Sequence, residues 1–212
     1  MQWVRRIERH PLPAGLAPER PGPGPAERLA PGLAAFFRGV SEDRGHAVLD
    51  LGPGASSSLG VYSRFARWVR FADVLTAAGS YSRWPEVLRS LPPHPERPFD
   101  LVIAWDVLDR LPAEHRPELV KRLAEITAPD ARLFLVSAAP DVVPIGSLRF
   151  TLVDLDRMQY ESTGEAHLAH ATLMPAELQR ILSPFELLRG FSTQLGLREY
   201  VAERKRNRAG GA

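Results

Sequence analysis

Two glycines and an aspartate are spaced as expected for a ligand-binding turn. Gly52-Pro53-Gly54 directly follows an apolar run at 47–51, and Asp73 comes nineteen residues after Gly54. Glycine allows a sharp turn beneath a ligand, because without Cβ it can adopt positive φ and approach the bound molecule closely. In doubly wound sheets, an acid at the end of the next strand can accept hydrogen bonds from ribose hydroxyls. The glycines alone would suit an ordinary tight turn equally well, but together with Asp73 they indicate a ligand site.

The residues around the glycines argue against three other kinds of site. No Gly-Lys-Ser/Thr follows them, so there is no P-loop. Ser56 stands where a dinucleotide-binding turn favours a third glycine. None of Ser56, Ser57 and Ser58 has glycine two residues away on both sides, as a nucleophile elbow requires. We expect these serines to cap the next helix rather than to contact a ligand.

Trp105 and Asp106 stand at the end of a β-rich run at 99–105. The Trp105 ring could stack on a ligand or pack beneath the sheet, and packing is slightly favoured for a lone aromatic at a strand end. Asp106 is the best-placed acid for general-base work, and it is equally suited to cap the following turn. His167 and His170 have no clear carboxylate partner, so we expect no metal site.

Residues 150–161 alternate between apolar and polar side chains. This alternation predicts a strand with one polar side, and we expect its role to be structural. The alternative is that Asp156 and Tyr160 face a substrate.

The apolar pattern along the chain predicts alternating strands and helices, which build βαβ crossovers of right-handed connection. The predicted strands lie at 47–51, 69–74, 99–105, 132–136, 185–190 and 197–202, and the predicted helices at 33–40, 82–91, 117–127 and 175–182. The last two strands are close enough for an antiparallel hairpin. The predicted fold class is therefore α/β, with a doubly wound, mostly parallel sheet and a C-terminal antiparallel hairpin.

The ends of the chain differ in composition from its centre. Seven prolines lie between Pro11 and Pro31, mixed with glycine and alanine, which predicts a semi-extended linker. We divide the chain into a Pro/Gly-rich arm at 1–31, a folded domain at 32–203 and a basic tail at 204–212.

Bulk composition bounds the class of protein. The 212 residues are 44% hydrophobic and 25% charged, close to averages for soluble proteins, and the formal net charge of +2 gives no strong nucleic-acid signal. Cysteine is absent, which excludes disulfides and thiolate chemistry and is compatible with the cytoplasm, where we expect the protein. The charged N-terminus argues against a secretion signal, and the lack of a run of about 20 apolar residues argues against membrane insertion.

Several of these stretches resemble motifs of class I S-adenosylmethionine-dependent methyltransferases. Val48-Leu49-Asp50-Leu51-Gly52-Pro53-Gly54 looks like their first motif, residues 99–111 look like their fourth-strand motif, and residues 123–135 are similar to the helix and strand that follow. The resemblance covers roughly residues 45–203. More narrowly, residues 62–65, 104–106 and 197–200 are similar to a group of uncharacterised bacterial methyltransferase-like proteins.

The resemblance implies S-adenosylmethionine as the cofactor and a role for each matching residue. Gly52 and Gly54 would pass under the cofactor, Asp50 would approach its amino-acid end, Asp73 would hold its ribose, and Trp105 and Asp106 would border the methyl donor and the substrate. The sequence departs from the family at Ser56, where a third glycine is usual. The short segment before Pro98 also leaves little room for the usual third strand and its adenine-contacting residue.

The sequence thus predicts methyl transfer from S-adenosylmethionine to an unidentified acceptor, for which a small molecule is our first hypothesis. The alternative is a non-catalytic binding or regulatory module that kept the fold, suggested by Ser56 and the shortened adenine region. A nicotinamide-dependent enzyme is a third possibility, because it shares the strand-turn-helix arrangement, but the C-terminal hairpin argues against it.

Overall fold

The computed structural model describes residues 7–8, 26–42, 45–78, 83–92, 97–138, 148–162, 173–193 and 196–206. The strands in these ranges are β1 (Ile7–Glu8), β2 (Ala26–Leu29), β3 (His46–Asp50), β4 (Ala66–Phe71), β5 (Phe99–Ile103), β6 (Thr127–Ala138), β7 (Leu148–Asp154), β8 (Arg157–Ser162), β9 (Phe185–Ser192) and β10 (Leu197–Arg204). The α-helices are α1 (Pro31–Phe36), α2 (Ser56–Tyr62), α3 (Val74–Ala78), α4 (Trp84–Ser90), α5 (Val107–Arg110), α6 (Arg116–Ile126) and α7 (Pro175–Ile181).

A seven-stranded sheet forms the centre of the fold, in the order β1-β9-β10-β6-β5-β3-β4. The pairs β3 with β4, β3 with β5 and β5 with β6 are parallel, whereas β10 is antiparallel to both β6 and β9. The predicted mostly parallel sheet with a C-terminal antiparallel hairpin is therefore confirmed. Within the described residues β4 ends the sheet on one side, as expected from the short segment that separates it from Pro98.

Two layers cover the central sheet, because its strands are apolar on both faces. Leu49 and Val102 face a core built with helices α3 to α7. Val48 and Ile103 face a second core, built with α1, α2 and the smaller sheet described next. Burial on both faces is why parallel strands of this kind are apolar in nearly every position.

The second sheet has three antiparallel strands in the order β2-β8-β7. Residues 150–161, predicted as one strand, instead form most of the β7–β8 hairpin, with a turn at Leu155 and Asp156. Strand β2 lies in the Pro/Gly-rich arm and pairs with β8, with Arg28 opposite Met158. Strand β1 pairs with β9. The arm thus contributes a strand to each sheet.

Most predicted elements are present with shifted ends. The second strand starts and ends three residues earlier than predicted, so that Asp73 follows it rather than lying within it. Strand β6 begins at Thr127, because Thr127 pairs with Phe99 before the irregular step at Asp130, whose φ is 65°. No helix in the described ranges has the length and apolar character needed to cross a membrane.

Candidate cofactor site at the carboxyl edge of the sheet

The ends of three central strands meet at one edge of the sheet. The Leu51 amide donates to the Ile103 carbonyl over 2.9 Å, and the Ala72 amide donates to the Asp50 carbonyl over 2.8 Å. The strands β3, β4 and β5 are therefore still in contact where their chains leave the sheet. This edge is where doubly wound folds bind their ligands, and it brings together the glycine turn, Asp73, Trp105 and Asp106.

Asp50 is a buried carboxylate with three hydrogen-bond donors. Its Oδ1 accepts from the Gly52 amide over 2.8 Å and from the Trp105 indole Nε1 over 2.7 Å. Its Oδ2 accepts from the Tyr62 hydroxyl over 2.7 Å. Because only 1% of Asp50 is exposed, these internal donors take the place of water. The side chain holds the glycine turn, helix α2 and the end of β5 together.

Burial raises the pKa of Asp50 to about 6, against the opposing effect of its hydrogen bonds from Tyr62, Gly52 and Trp105; the nearby Asp73 charge adds slightly to the rise. Burial and the Asp50 carboxylate likewise raise the pKa of the Tyr62 phenol. The site is thus a water-poor environment in which, among the described residues, neutral donors hold the carboxylate.

Trp105 lies on the glycine turn. A Cβ added at Gly52 would fall 2.8 Å from the Trp105 Nε1 and 2.9 Å from its Cδ1. The indole is 3% exposed and stacks on Phe150 of β7, with ring centroids 5.6 Å apart and planes 5° apart. Gly52 is therefore required in this structure by the close approach of the indole.

Gly54 and Asp73 lie on the more open side of the turn. Gly54 is exposed, and a Cβ there would meet the Phe71 ring at an ordinary 3.7 Å. The half-buried Asp73 accepts a hydrogen bond from the Thr76 amide at its Oδ1 over 3.2 Å, and so caps α3. The described hydrogen bonds leave its second oxygen available to a ligand.

Asp106 is held by an ion pair in the helix that follows it. Its Oδ2 accepts from both Nε and Nη2 of Arg110, each at 2.7 Å. The same arginine donates to the Leu148 carbonyl at the start of β7. Asp106 occupies the N-cap position of α5 without a side-chain capping bond, so its carboxylate joins this loop to the smaller sheet.

A second acid at this edge, the half-buried Asp109, was not singled out from the sequence. Its carboxylate accepts from the Ser137 hydroxyl over 2.8 Å and from the Ala138 amide over 2.7 Å. Burial raises the pKa of Asp109 to about 6. The sequence signal that could have identified Asp109 is its position three residues after Asp106, in the short helix that follows β5.

The expectation that Ser56, Ser57 and Ser58 cap the helix is wrong. Ala55 is the N-cap residue of α2, and no side-chain capping bond is formed there. Ser58 instead is buried, and its Oγ accepts a hydrogen bond from the Leu152 amide over 2.9 Å. It therefore ties α2 to β7 of the smaller sheet.

The two residues considered as substrate contacts in the insertion differ in exposure. Asp156 is exposed at the turn between β7 and β8, while Tyr160 is 1% exposed and lies beside Phe150. The Tyr160 hydroxyl is buried and makes no hydrogen bond within the described part of the chain. His167 and His170 lie outside the described residues.

Comparisons with known proteins bear on the fold. No protein-family model matches the chain, and no curated protein matches its sequence. Solved structures do match. An S-adenosylmethionine-dependent methyltransferase from Mesorhizobium loti has a TM-score of 0.52 and 13% identity, covering 82% of this chain and 96% of that one.

Two further structures were solved with S-adenosylhomocysteine. The N-methyltransferase NodS from Bradyrhizobium japonicum WM9 has a TM-score of 0.51 and 13% identity, over 82% of this chain and 86% of that one. Magnesium protoporphyrin IX methyltransferase from Synechocystis PCC 6803 has a TM-score of 0.50 and 19% identity, over 82% and 81%. The chain therefore has the fold of the class I S-adenosylmethionine-dependent methyltransferases.

Proposed function

We propose that the protein transfers a methyl group from S-adenosylmethionine to a small-molecule acceptor. The observation that carries this proposal is the placement of Gly54 and Asp73 together at the carboxyl edge of β3 and β4, with one Asp73 oxygen available to a ligand. A carboxylate in this place can accept hydrogen bonds from ribose hydroxyls. The fold shared with structures that hold S-adenosylhomocysteine supports the same cofactor.

The described residues fit the two ends of the cofactor differently. The exposed Gly54 and the half-buried Asp73 fit a ribose. Over Gly52, where the amino-acid end would lie, the space is filled by the Trp105 indole. The ribose side thus fits as it stands, and the other side requires the indole to move.

Each residue has a distinct part in this proposal. Asp73 binds the ribose, and Gly52 and Gly54 let the backbone pass beneath the cofactor. Asp50 positions the turn through its bond from the Gly52 amide. S-adenosylmethionine, when bound, supplies an activated methyl group, so the protein chiefly aligns the acceptor and excludes water.

Asp106 is the proposed base for an acceptor that carries a proton on its nucleophilic atom. Its Oδ2 oxygen is engaged by Arg110. Acceptance of a proton at Oδ2 would weaken this ion pair, and with it the contact from Arg110 to Leu148. An acceptor that loses no proton needs no such step.

Calorimetric titration of the purified protein with S-adenosylmethionine tests the proposal. Asp73→Ala should weaken binding about 10- to 100-fold, the range for a lost hydrogen bond to a charged group. Asp73→Asn keeps an acceptor for the Thr76 amide, so a loss of binding in this variant cannot be attributed to a lost cap on α3. Asp156→Ala, at an exposed turn, is the matched control, and NAD is the control ligand. No binding by folded protein would defeat the proposal.

The second candidate is a non-catalytic module with the same fold. The observation that favours it is the close packing of Trp105 on Gly52, which closes part of the site with a side chain of the protein itself. A chain of this kind would bind neither S-adenosylmethionine nor S-adenosylhomocysteine. If its cellular function survives a bulky substitution at Gly52 that leaves the protein folded, the ligand site is dispensable.

A further inference from the structure

Trp105 has an unusual backbone conformation for a large residue. Its φ is 46°, and in the described part of the chain only Asp130 shares a positive φ among the residues other than glycine. The left-handed region is disfavoured for bulky side chains, and such residues persist only where their surroundings hold them. They are concentrated at ligand clamps and switches. The surroundings of Trp105 must therefore hold it in this conformation.

Three contacts hold the indole. Its Nε1 donates to Asp50 over 2.7 Å. One face stacks on Phe150 at 5.6 Å, and its edge meets Phe134 at 6.0 Å with an 86° angle between the rings. The partners come from β3, β7 and β6, so both the central sheet and the smaller sheet fix the ring.

The indole covers the turn that a cofactor would need. It approaches Gly52 so closely that a Cβ there would lie within 3 Å of two indole atoms. It also uses the Asp50 Oδ1 oxygen, on the side of the turn assigned to the amino-acid end of S-adenosylmethionine. The indole and that end of the cofactor compete for one space.

We infer that the Trp105 indole is a gate over the cofactor site, closed when it lies on Gly52 and open when it has left the turn. The inference rests on the proposed function, because the gate matters only if S-adenosylmethionine binds there. Opening removes the indole donor from Asp50 Oδ1 and leaves the Gly52 amide bonded to that oxygen. Phe150 lies on the other side of the ring, so the smaller sheet sets how readily the gate opens.

The gate predicts that weakening the closed state strengthens cofactor binding. Apparent affinity is reduced by the fraction of protein that is competent to bind. If about a tenth of the protein is open, Trp105→Ala should bind S-adenosylhomocysteine about tenfold more tightly than the parent protein. Phe150→Leu keeps the indole and removes its stacking partner, and should give a smaller gain in the same direction. Trp68→Ala, on an indole that stacks on Phe99 away from the turn, should change nothing.

Fluorine NMR of protein labelled with 5-fluorotryptophan follows the gate itself, and Trp105→Phe assigns the resonance. The Trp105 signal should shift on titration with S-adenosylhomocysteine, while that of Trp68 stays in place. This readout, with Phe150→Leu, decides the question even if Trp105→Ala does not fold.

Three outcomes separate the gate from the proposed function. Tighter binding by Trp105→Ala and Phe150→Leu, together with a Trp105 signal that shifts in the parent protein, supports the gate. Binding that is unchanged or weaker in these two variants, or a parent Trp105 signal that stays in place, overturns the gate and leaves methyl transfer standing. No binding by the parent protein and by every folded variant overturns both.

Discussion

The indole of Trp105 donates a hydrogen bond to Asp50 across the ends of two neighbouring strands, 55 positions apart in the chain. With the bonds from Tyr62 and Gly52, it completes the set of donors around a buried carboxylate. Because its oxygens accept hydrogen bonds from the protein instead of from water, the carboxylate stabilises the geometry of the glycine turn. In this structure Asp50 therefore holds the glycine turn in place.

Removal of the Tyr62 hydroxyl should expose how strongly Asp50 depends on its donors. Tyr62→Phe leaves the Asp50 Oδ2 oxygen buried without its bond from the phenol. We expect a loss of about 1–3 kcal/mol in the free energy of unfolding, the usual cost of an unsatisfied buried group. Urea denaturation followed by circular dichroism measures it.

The loss in Tyr62→Phe should depend on pH. The pKa of Asp50 is raised by burial to about 6, and its bond from Tyr62 favours the charged form. The cost should therefore be larger at pH 8, where Asp50 is ionised, than at pH 5, where it is mostly protonated. Tyr200→Phe, on a buried tyrosine whose phenol bonds to Arg198 instead, is the control. Equal losses at both pH values would contradict this account of Asp50.

The ion pair of Arg110 and Asp106 should contribute more to stability than a surface pair. Their side chains are 16% and 15% exposed, and Arg110 also bonds to the Leu148 carbonyl. Arg110→Ala should cost about 1–3 kcal/mol, because a partly buried carboxylate loses its charged partner. Arg149→Ala breaks the exposed pair with Glu161 and should cost under about 1 kcal/mol. Urea unfolding compares the two, and similar losses would mean that Asp106 finds other partners.

The sequence indicated the central strands because local composition determines them. A buried parallel strand is a short apolar run, and the runs at 47–51 and 99–105 correspond to β3 and β5. Strands β1 and β2 have no such signal. They have two and four residues in or beside a proline-rich stretch, and pairing with β9 and β8 decides their structure.

The same distinction holds within the candidate site. The turn at Gly52 and Gly54 and the position of Asp73 follow from spacing. The partners of Asp50 do not, because Tyr62 and Trp105 reach it only after α2 and β5 have packed on the sheet. The positive φ of Trp105 likewise has no local cause, since Phe150, Phe134 and Asp50 hold the ring from three strands.

Glu199 should make stability fall as pH rises from mildly acidic to neutral. Its Oε2 accepts from the Gly32 amide at the start of α1, and its Oε1 is buried without a hydrogen-bond partner in the described ranges. Burial raises the pKa of Glu199 from 4.5 to about 7. The folded state therefore binds a proton that the unfolded state releases between these values. Stability is highest below pH 4.5 for this group and declines by up to about 3 kcal/mol as pH rises through 7.

Glu199→Gln should remove this dependence, because the amide keeps an acceptor for Gly32 and carries no charge. The variant should match the parent protein below pH 4.5 and exceed it at pH 8 by about 1–3 kcal/mol in the free energy of unfolding. Glu186→Gln, on an exposed residue of β9, is the control. A variant less stable than the parent at pH 8 would show that the ionised carboxylate is the favoured form.

Tyr160→Phe should behave in the opposite way to Tyr62→Phe, although both tyrosines are almost fully buried. The Tyr160 hydroxyl makes no hydrogen bond within the described residues, so the folded state carries its desolvation without a compensating bond. Its removal should leave stability unchanged or raise it by about 1 kcal/mol, measured by urea unfolding under the same conditions as Tyr62→Phe. A loss comparable to that of Tyr62→Phe would mean that a water molecule or residues outside the described ranges satisfy the hydroxyl. The two variants thus compare a buried hydroxyl that donates to Asp50 with a buried hydroxyl that makes no hydrogen bond within the described residues.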